Sequence, residues 1–161
     1  MRDGLVVILM GSAADREHAA RVAASAEGLG VEVVQRVGSA HKTPEHVLDI
    51  LRGYEVDGRP KVYVTIAGRS NALSGFVDGY VASPVIACPP PSDAFGGADI
   101  FSSIRMPSDV APMLVLDPAN AGLAAAKILA VADPALRARI AAHKATEAAK
   151  VTLADGELQR G

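Results

Sequence analysis

Apolar residues along this chain fall into short unbroken runs, separated by amphipathic stretches. Leu5 to Met10 is one such run, the form expected of a parallel strand buried on both faces. Gly11-Ser12 ends it. A helical pattern follows from about Ala14 to Leu29, with Ala19, Val22, Ala23 and Ala26 turned inward and Gly28 to Gly30 as its stop. Val31 to Val37 reads as a second strand. After Gly38-Ser39-Ala40-His41-Lys42, Thr43 offers a capping hydroxyl and Pro44 the first helical position. The helix that follows carries Val47, Ile50 and Leu51 inward.

The pattern then repeats. Lys61 to Ala67 predicts a third strand, and Gly68-Arg69-Ser70-Asn71 leads into a short helix around Ala72 to Tyr80. Pro84 to Cys88 predicts a fourth strand, and the prolines at 89–91 forbid a helix directly after it. A further short helix is expected over Ala94 to Arg105, and a fifth strand over Met113 to Leu116. Asp117-Pro118 opens an Ala-rich helix to about Val131; Asp133-Pro134 opens a last one to about Leu153, leaving a frayed tail over Ala154 to Gly161. Repeated alternation of strand and helix implies an α/β chain, a parallel sheet with helices on both faces joined by right-handed crossovers. Ligands of such sheets bind outside the carboxyl ends of the strands, so the loops at 11–15, 38–43, 67–75 and 88–95 are where function is sought.

Composition narrows the field. The chain has 161 residues, enough for one domain over 1–161, and no linker or internal repeat divides it. Aromatics make up 4% with no Trp, which leaves Ala, Val, Leu and Ile to fill the interior. A net charge of −2 and a pI near 6.1, with no basic stripe, argue against a nucleic-acid partner. The Leu5 to Met10 run is too short to span a bilayer and lacks the features of a signal peptide, so no membrane role is expected. Cys88 is the single cysteine and has no partner for an internal disulfide, which suits a reducing cytoplasm. The histidines show no metal-ligand spacing, so no metal is expected.

Each loop offers particular chemistry. In the first, Gly11 lets backbone approach a ligand closely, Ser12 supplies a hydroxyl, and the following helix start supplies free N–H groups suited to a phosphate. Asp15 is either a carboxylate complementing the helix dipole or an acceptor for sugar hydroxyls. In the second, His41 is either a surface side chain or a group that takes and returns a proton at neutral pH; Lys42 beside it is either solvated or placed to neutralise a phosphate. Backbone N–H groups of Gly68 and Ser70 in the third loop form an anion cradle, unless the loop is simply a connection in which Asn71 caps the next helix. His18, His46 and His143 read as helix-surface or packing residues. Cys88 reads as a small buried hydrophobe with no base beside it, in a proline-rich loop that forms a rigid wall. The first loop is neither a Walker A sequence nor a complete GxGxxG, which argues against ATP or a dinucleotide.

Five segments in this order, MGSAAD at 10–15, GSAHKTPE at 38–45, IAGRSNALSG at 66–75, CPPPSD at 88–93 and FSSIRMPSDV at 101–110, resemble the aminoimidazole ribonucleotide carboxylase and carboxyaminoimidazole ribonucleotide mutase family of purine biosynthesis. The resemblance runs from about Val6 to Leu129. It implies a three-layer α/β/α sandwich of flavodoxin-like, Rossmann-like topology, and an enzyme working without a cofactor on a small ribonucleotide and carbon dioxide. By the same resemblance His41 is the catalytic histidine, while Ser12, Asp15, Ser39, Lys42, Gly68 and Ser70 surround the nucleotide. Asp15 would hold the ribose hydroxyls, Ser12, Ser39 and Lys42 the phosphate end, and Gly68 and Ser70 would bound the ring and carbon dioxide pocket. SAHK and AGRSNALSG are similar to the branch that carboxylates the ring directly; the mutase branch has SAHR and AGGAAHLPG, with a histidine where this chain has Ala72. Ala14 departs from relatives carrying a serine there. The resemblance also implies a homo-octamer or homo-tetramer. The readings held against direct carboxylation are the mutase and a non-catalytic flavin- or nucleotide-binding module.

Overall fold

A computed structural model describes residues 4–160. Five strands, β1 (Leu5–Met10), β2 (Glu32–Val37), β3 (Lys61–Ile66), β4 (Val85–Ala87) and β5 (Met113–Leu114), form one sheet. Every ladder is parallel and the order is β2-β1-β3-β4-β5, which is the flavodoxin-like arrangement. The helices are α1 (Arg16–Glu27), α2 (Pro44–Glu55), α3 (Ala72–Asp78), α4 (Phe101–Ile104), α5 (Pro118–Leu129) and α6 (Pro134–Leu158). The expected α/β/α sandwich is therefore the observed fold.

The twofold period of the central strands divides the core into two layers. Val6, Ile8 and Met10 of β1 and Val62, Val64 and Ile66 of β3 face α1 and α5. Leu5, Val7, Leu9 and Tyr63 face α2 and α3, where Val47, Ile50, Leu51, Leu73 and Val77 close the opposite layer. The inward residues read from the sequence for the first two helices are all buried. Helices α1 and α5 come together through small side chains. A Cβ placed on Gly122 would run into the Val22 carbonyl oxygen and stand 2.8 Å from Ser25 Cβ, so only glycine permits this approach.

Several boundaries differ from expectation. The segment over 94–105 is not one helix: a 3-10 stretch over Ala94–Ile100 is broken by Phe95, Gly96 and Gly97, all at positive φ, before α4 begins. Two adjacent glycines permit that left-handed run. The edge strand β5 pairs only over Met113–Leu114. Thr43 precedes α2 but its hydroxyl makes no bond to the helix; it turns back to Ser39 instead. The expected frayed tail is helical to Leu158, because Leu153, Ala154, Glu157 and Leu158 around Gly156 favour helix strongly enough to absorb one glycine. Gly161 lies outside the described residues. Helix α6 extends about 37 Å at the usual rise per residue, yet buries only Leu136 and Ile140.

Candidate active site

The first loop leaves β1 at Gly11, whose N–H still donates to the Ile66 carbonyl at 2.8 Å. A Cβ on Gly11 would stand 3.3 Å from Ala67 Cβ, so the two loop floors touch where any larger side chain would separate them. Ser12 then caps the 3-10 turn Ala13–Asp15, its Oγ accepting from the Ala14 N–H at 3.2 Å. Its hydroxyl proton keeps the freedom to donate to a ligand. Asp15 is half-buried at the start of α1, and burial raises its carboxyl above the ordinary aspartate value, opposed by the Ser12 backbone and by His18.

The second loop is built around Ser39 and Thr43. The Ser39 N–H donates to Thr43 Oγ1 at 2.9 Å, the Thr43 N–H donates to the Ser39 carbonyl at 2.9 Å, and Ser39 Oγ accepts from the Lys42 N–H at 3.3 Å. This closed turn consumes the hydroxyl expected to cap α2. It leaves His41 and Lys42 exposed at its tip.

The third loop is pinned from below. Asn71 accepts from the Ser74 N–H at 3.2 Å, so it is the helix cap, and its Nδ2 donates to Ser103 Oγ at 2.9 Å. Ser102 Oγ accepts from the Asn71 N–H at 2.9 Å and reaches the Arg69 carbonyl at 3.1 Å. Arg69 sits at φ 61, a left-handed conformation that an arginine adopts only under constraint.

These loops surround one cavity of about 600 Å³, a volume suited to a small-molecule ligand. Ser12, Asp15, Ser39, His41, Lys42, Gly68 and Ser70 all line it, together with Ala14, Ala40, Arg69 and Leu73. Every site residue singled out from the sequence therefore meets at one place. Arg69 was missed as a lining residue, since its left-handed turn has no signature in an arginine codeable from sequence. A second cavity of about 330 Å³ lies beyond the Ala67 to Arg69 wall, bounded by the three prolines. The proline loop thus stands behind Gly68, with Pro90 Cδ 3.8 Å from where a Gly68 Cβ would be, and does not line the first cavity. Among the described residues no group of His, Cys, Asp and Glu could hold a metal ion.

The sequence profile of the AIR carboxylase family matches residues 5–150. The chain belongs to that family. Phosphoribosylaminoimidazole carboxylase of Treponema denticola is 53% identical over 156 residues, 97% of this chain and 98% of the relative. A protein of the same name from Archaeoglobus fulgidus is 52% identical, covering 95% of this chain and 84% of its own length. The crystal structure of Treponema denticola PurE superposes with a TM-score of 0.94 at 52% identity, over 96% of this chain and 98% of that one. Such likeness over nearly the full length makes this member of the AIR carboxylase family an enzyme.

The other histidines divide. His46 Nε2 lies 3.2 Å from the Val37 carbonyl, a local tie between α2 and β2, and His143 is exposed on α6. His18 is more than a surface residue: its Nε2 lies 3.3 Å from Cys88 Sγ. The reading of Cys88 as having no base beside it is therefore corrected. Their separation of 70 positions hid the pairing from any local pattern. Cys88 is nonetheless fully buried, and burial pushes its thiol up to about 12, so it remains protonated.

Proposed function

We propose that this enzyme joins carbon dioxide directly to carbon 4 of 5-aminoimidazole ribonucleotide, reversibly and without ATP, to give 4-carboxy-5-aminoimidazole ribonucleotide in purine biosynthesis. The observation that carries this reading is that, among the described residues, His41 is the one imidazole lining a cavity whose other polar walls are hydroxyls, backbone, Asp15, Lys42 and Arg69, with Ala72 where the mutase branch has its histidine. The amino group makes ring carbon 4 an enamine-like nucleophile. It attacks the carbon of carbon dioxide, a C–C bond forms, and one C=O electron pair moves onto oxygen to give the carboxylate. Carbon 4 then bears both hydrogen and carboxylate. His41 takes that proton, the C–H pair restores the aromatic ring, and the same imidazole returns the proton in reverse.

Around that step, Asp15 accepts from the ribose hydroxyls, and Ser12, Ser39 and Lys42 meet the phosphate. Gly68 and Ser70 bound the ring and the carbon dioxide. Ala14 leaves the phosphate one hydroxyl fewer, so Lys42 and the donor hydroxyls of Ser12 and Ser39 carry that end. Holding a weakly bound gas against the ring is a matter of position and exclusion of water rather than of further chemistry.

We place the enzyme in the cytoplasm as a homo-oligomer, tetramer or octamer. Among the described residues no helix is long and apolar enough to cross a membrane. The exposed face of α6, with Val151, Leu153 and Leu158, is surface that further copies would cover. Light scattering measures the copy number.

The test is an ATP-free assay with bicarbonate, run in parallel on aminoimidazole ribonucleotide and on its N-carboxylated isomer. Product from the first substrate is expected. Turnover of the isomer alone would transfer the reading to the mutase. His41→Asn is expected to lower kcat at least a hundredfold, about the loss of a general base, with melting unchanged because the side chain is exposed.

A further inference from the structure

The proton chemistry and the ligand contacts leave one partly buried cluster unused. His18 lies in the first turn of α1, three residues after Asp15 and on the same face of the chain. Its Nε2 reaches Cys88 Sγ, which follows β4. Cys88 is a rigid anchor: it is fully buried, and its N–H donates to the Thr65 carbonyl at 2.8 Å. Among the described residues, the other side-chain hydrogen bonds and ion pairs that hold α1 are at Ser25, whose hydroxyl donates to the Ala119 carbonyl at 2.7 Å, and at Arg21, 3.6 Å from Asp117. Both lie further along the helix than His18. The contact to Cys88 is therefore the tie nearest the end of α1 that carries Asp15.

We infer that His18 is a positioning residue for the ribose-binding end of the site, fixing the start of α1, and Asp15 with it, against the end of β4 through the Cys88 thiol. This rests on the carboxylase reading only in naming the ligand. The charged and titratable groups facing His18 are Asp15 and Arg21 on its own side, Cys88 after β4, and Asp117 at the start of α5. Burial and the Arg21 guanidinium pull the imidazole below its ordinary value, ahead of the opposing effects of Cys88, Asp15 and Asp117. A neutral imidazole thus meets a protonated thiol, and the pair needs no buried charge. His41 stands on a different loop with its own closed turn, so the two functions separate: His18 governs how the ribonucleotide is held, His41 what happens to the proton.

The experiment compares His18→Ala, His18→Gln, Cys88→Ala and the double variant His18→Ala with Cys88→Ala. The Kd for 5-aminoimidazole ribonucleotide is measured by calorimetry, and KM and kcat by the ATP-free assay. His18→Ala and Cys88→Ala should each raise Kd and KM about three- to tenfold, the size of one lost modest hydrogen bond, with kcat within twofold. The double variant should lose no more than the larger single loss, because both substitutions remove the same tie. His18→Gln, whose amide still meets the thiol, should recover part of the affinity. Unchanged Kd in both single variants overturns the inference, as does full additivity, or a fall in kcat at constant KM. If His18→Ala fails to fold, Cys88→Ala and His18→Gln decide the matter. A wild-type protein that binds the ribonucleotide without carboxylating it refutes the carboxylase reading, while the Kd comparison still tests His18.

Discussion

Asn71 connects the fold to the site, and truncating it gives a measurable loss. The residue is 3% exposed and its side chain makes two bonds: Oδ1 accepts from the Ser74 N–H and Nδ2 donates to Ser103 Oγ. Ser74 and Ser103 are themselves buried. Asn71→Ala removes the helix cap, worth about 1 kcal/mol. It also strips the Ser103 hydroxyl of its partner, which costs about 1–3 kcal/mol for a buried polar group. The bond from the Asn71 N–H to Ser102 is backbone and survives. The expected total is about 2–4 kcal/mol. Asn71→Ser keeps a capping oxygen and loses only the reach to Ser103, so it should stand about 1 kcal/mol above Asn71→Ala.

The assay is equilibrium unfolding in urea at one fixed protein concentration, since assembly would make the midpoint depend on concentration. Two results would refute the reasoning: a loss below about 0.5 kcal/mol for Asn71→Ala, the range of ordinary surface changes, or an Asn71→Ser variant no better than the alanine. Because Asn71 also sets the loop carrying Gly68, Arg69 and Ser70, activity measured where both proteins are folded should fall further in Asn71→Ala than in Asn71→Ser.

Gly122→Ala should destabilise by about 1–3 kcal/mol, the usual cost of overpacking, because its methyl meets the Val22 carbonyl and α1 cannot retreat without moving Asp15; a thermal melt checks this. Asp15→Asn should melt higher than wild type at neutral pH while binding the ribonucleotide less well. The sign follows from the raised Asp15 carboxyl: the folded state holds its proton more readily than the unfolded one, so ionised Asp15 disfavours folding above its folded value. That difference should shrink as pH falls through the folded value towards the ordinary 3.8, and melts from pH 4 to 8 measure it. Cys88 should resist thiol reagents in the folded protein at pH 8 and react fully in denaturant, and its raised thiol should cost stability as pH climbs above the ordinary 9.0 towards about 12.

Much of this architecture is legible locally because the central strands are buried on both faces. Runs such as Leu5 to Met10 have no polar face to confuse with a helix, and their ends mark the loops that carry the site. Ser12, Asp15, His41 and Gly68 could be found because a parallel sheet brings the carboxyl ends of successive strands to one side. What escaped depends on distant partners. Thr43 has the chemistry of a cap, but Ser39 competes for the same hydroxyl at shorter range. Phe95 is left-handed because the glycines after it permit a turn that the hydrophobic pattern does not report. The pairing of His18 with Cys88 joins two elements that only the crossover through β3 places side by side. Helix α6 persists past Leu153 for the opposite reason, since local propensity there outweighs its lack of tertiary contacts.

On the proposed function, the charges around the cavity would give a bound ribonucleotide one favoured direction. Asp15 is the anion, on the α1 side; Lys42 and Arg69 are the cations, on the loops after β2 and β3. A phosphate placed beside Asp15 would face a partly desolvated carboxylate, whereas beside Lys42 it meets a cation together with the Ser39 hydroxyl, which already accepts from the Lys42 N–H. Ribose hydroxyls have the reverse preference, since a carboxylate accepts their protons without repulsion. The ring is then left for the remaining lining, where Gly68 presents no side chain and His41 is the titratable group. Since the rest of the lining is Ala, Gly and Leu with the single hydroxyl of Ser70, no further charge competes with this order. Exchanging signs tests it: Lys42→Glu should weaken the ribonucleotide far more than Lys42→Ala does, and the excess should shrink at high salt because the added repulsion acts across an open, solvated mouth. A loss equal in the two variants, and indifferent to salt, would place the phosphate elsewhere.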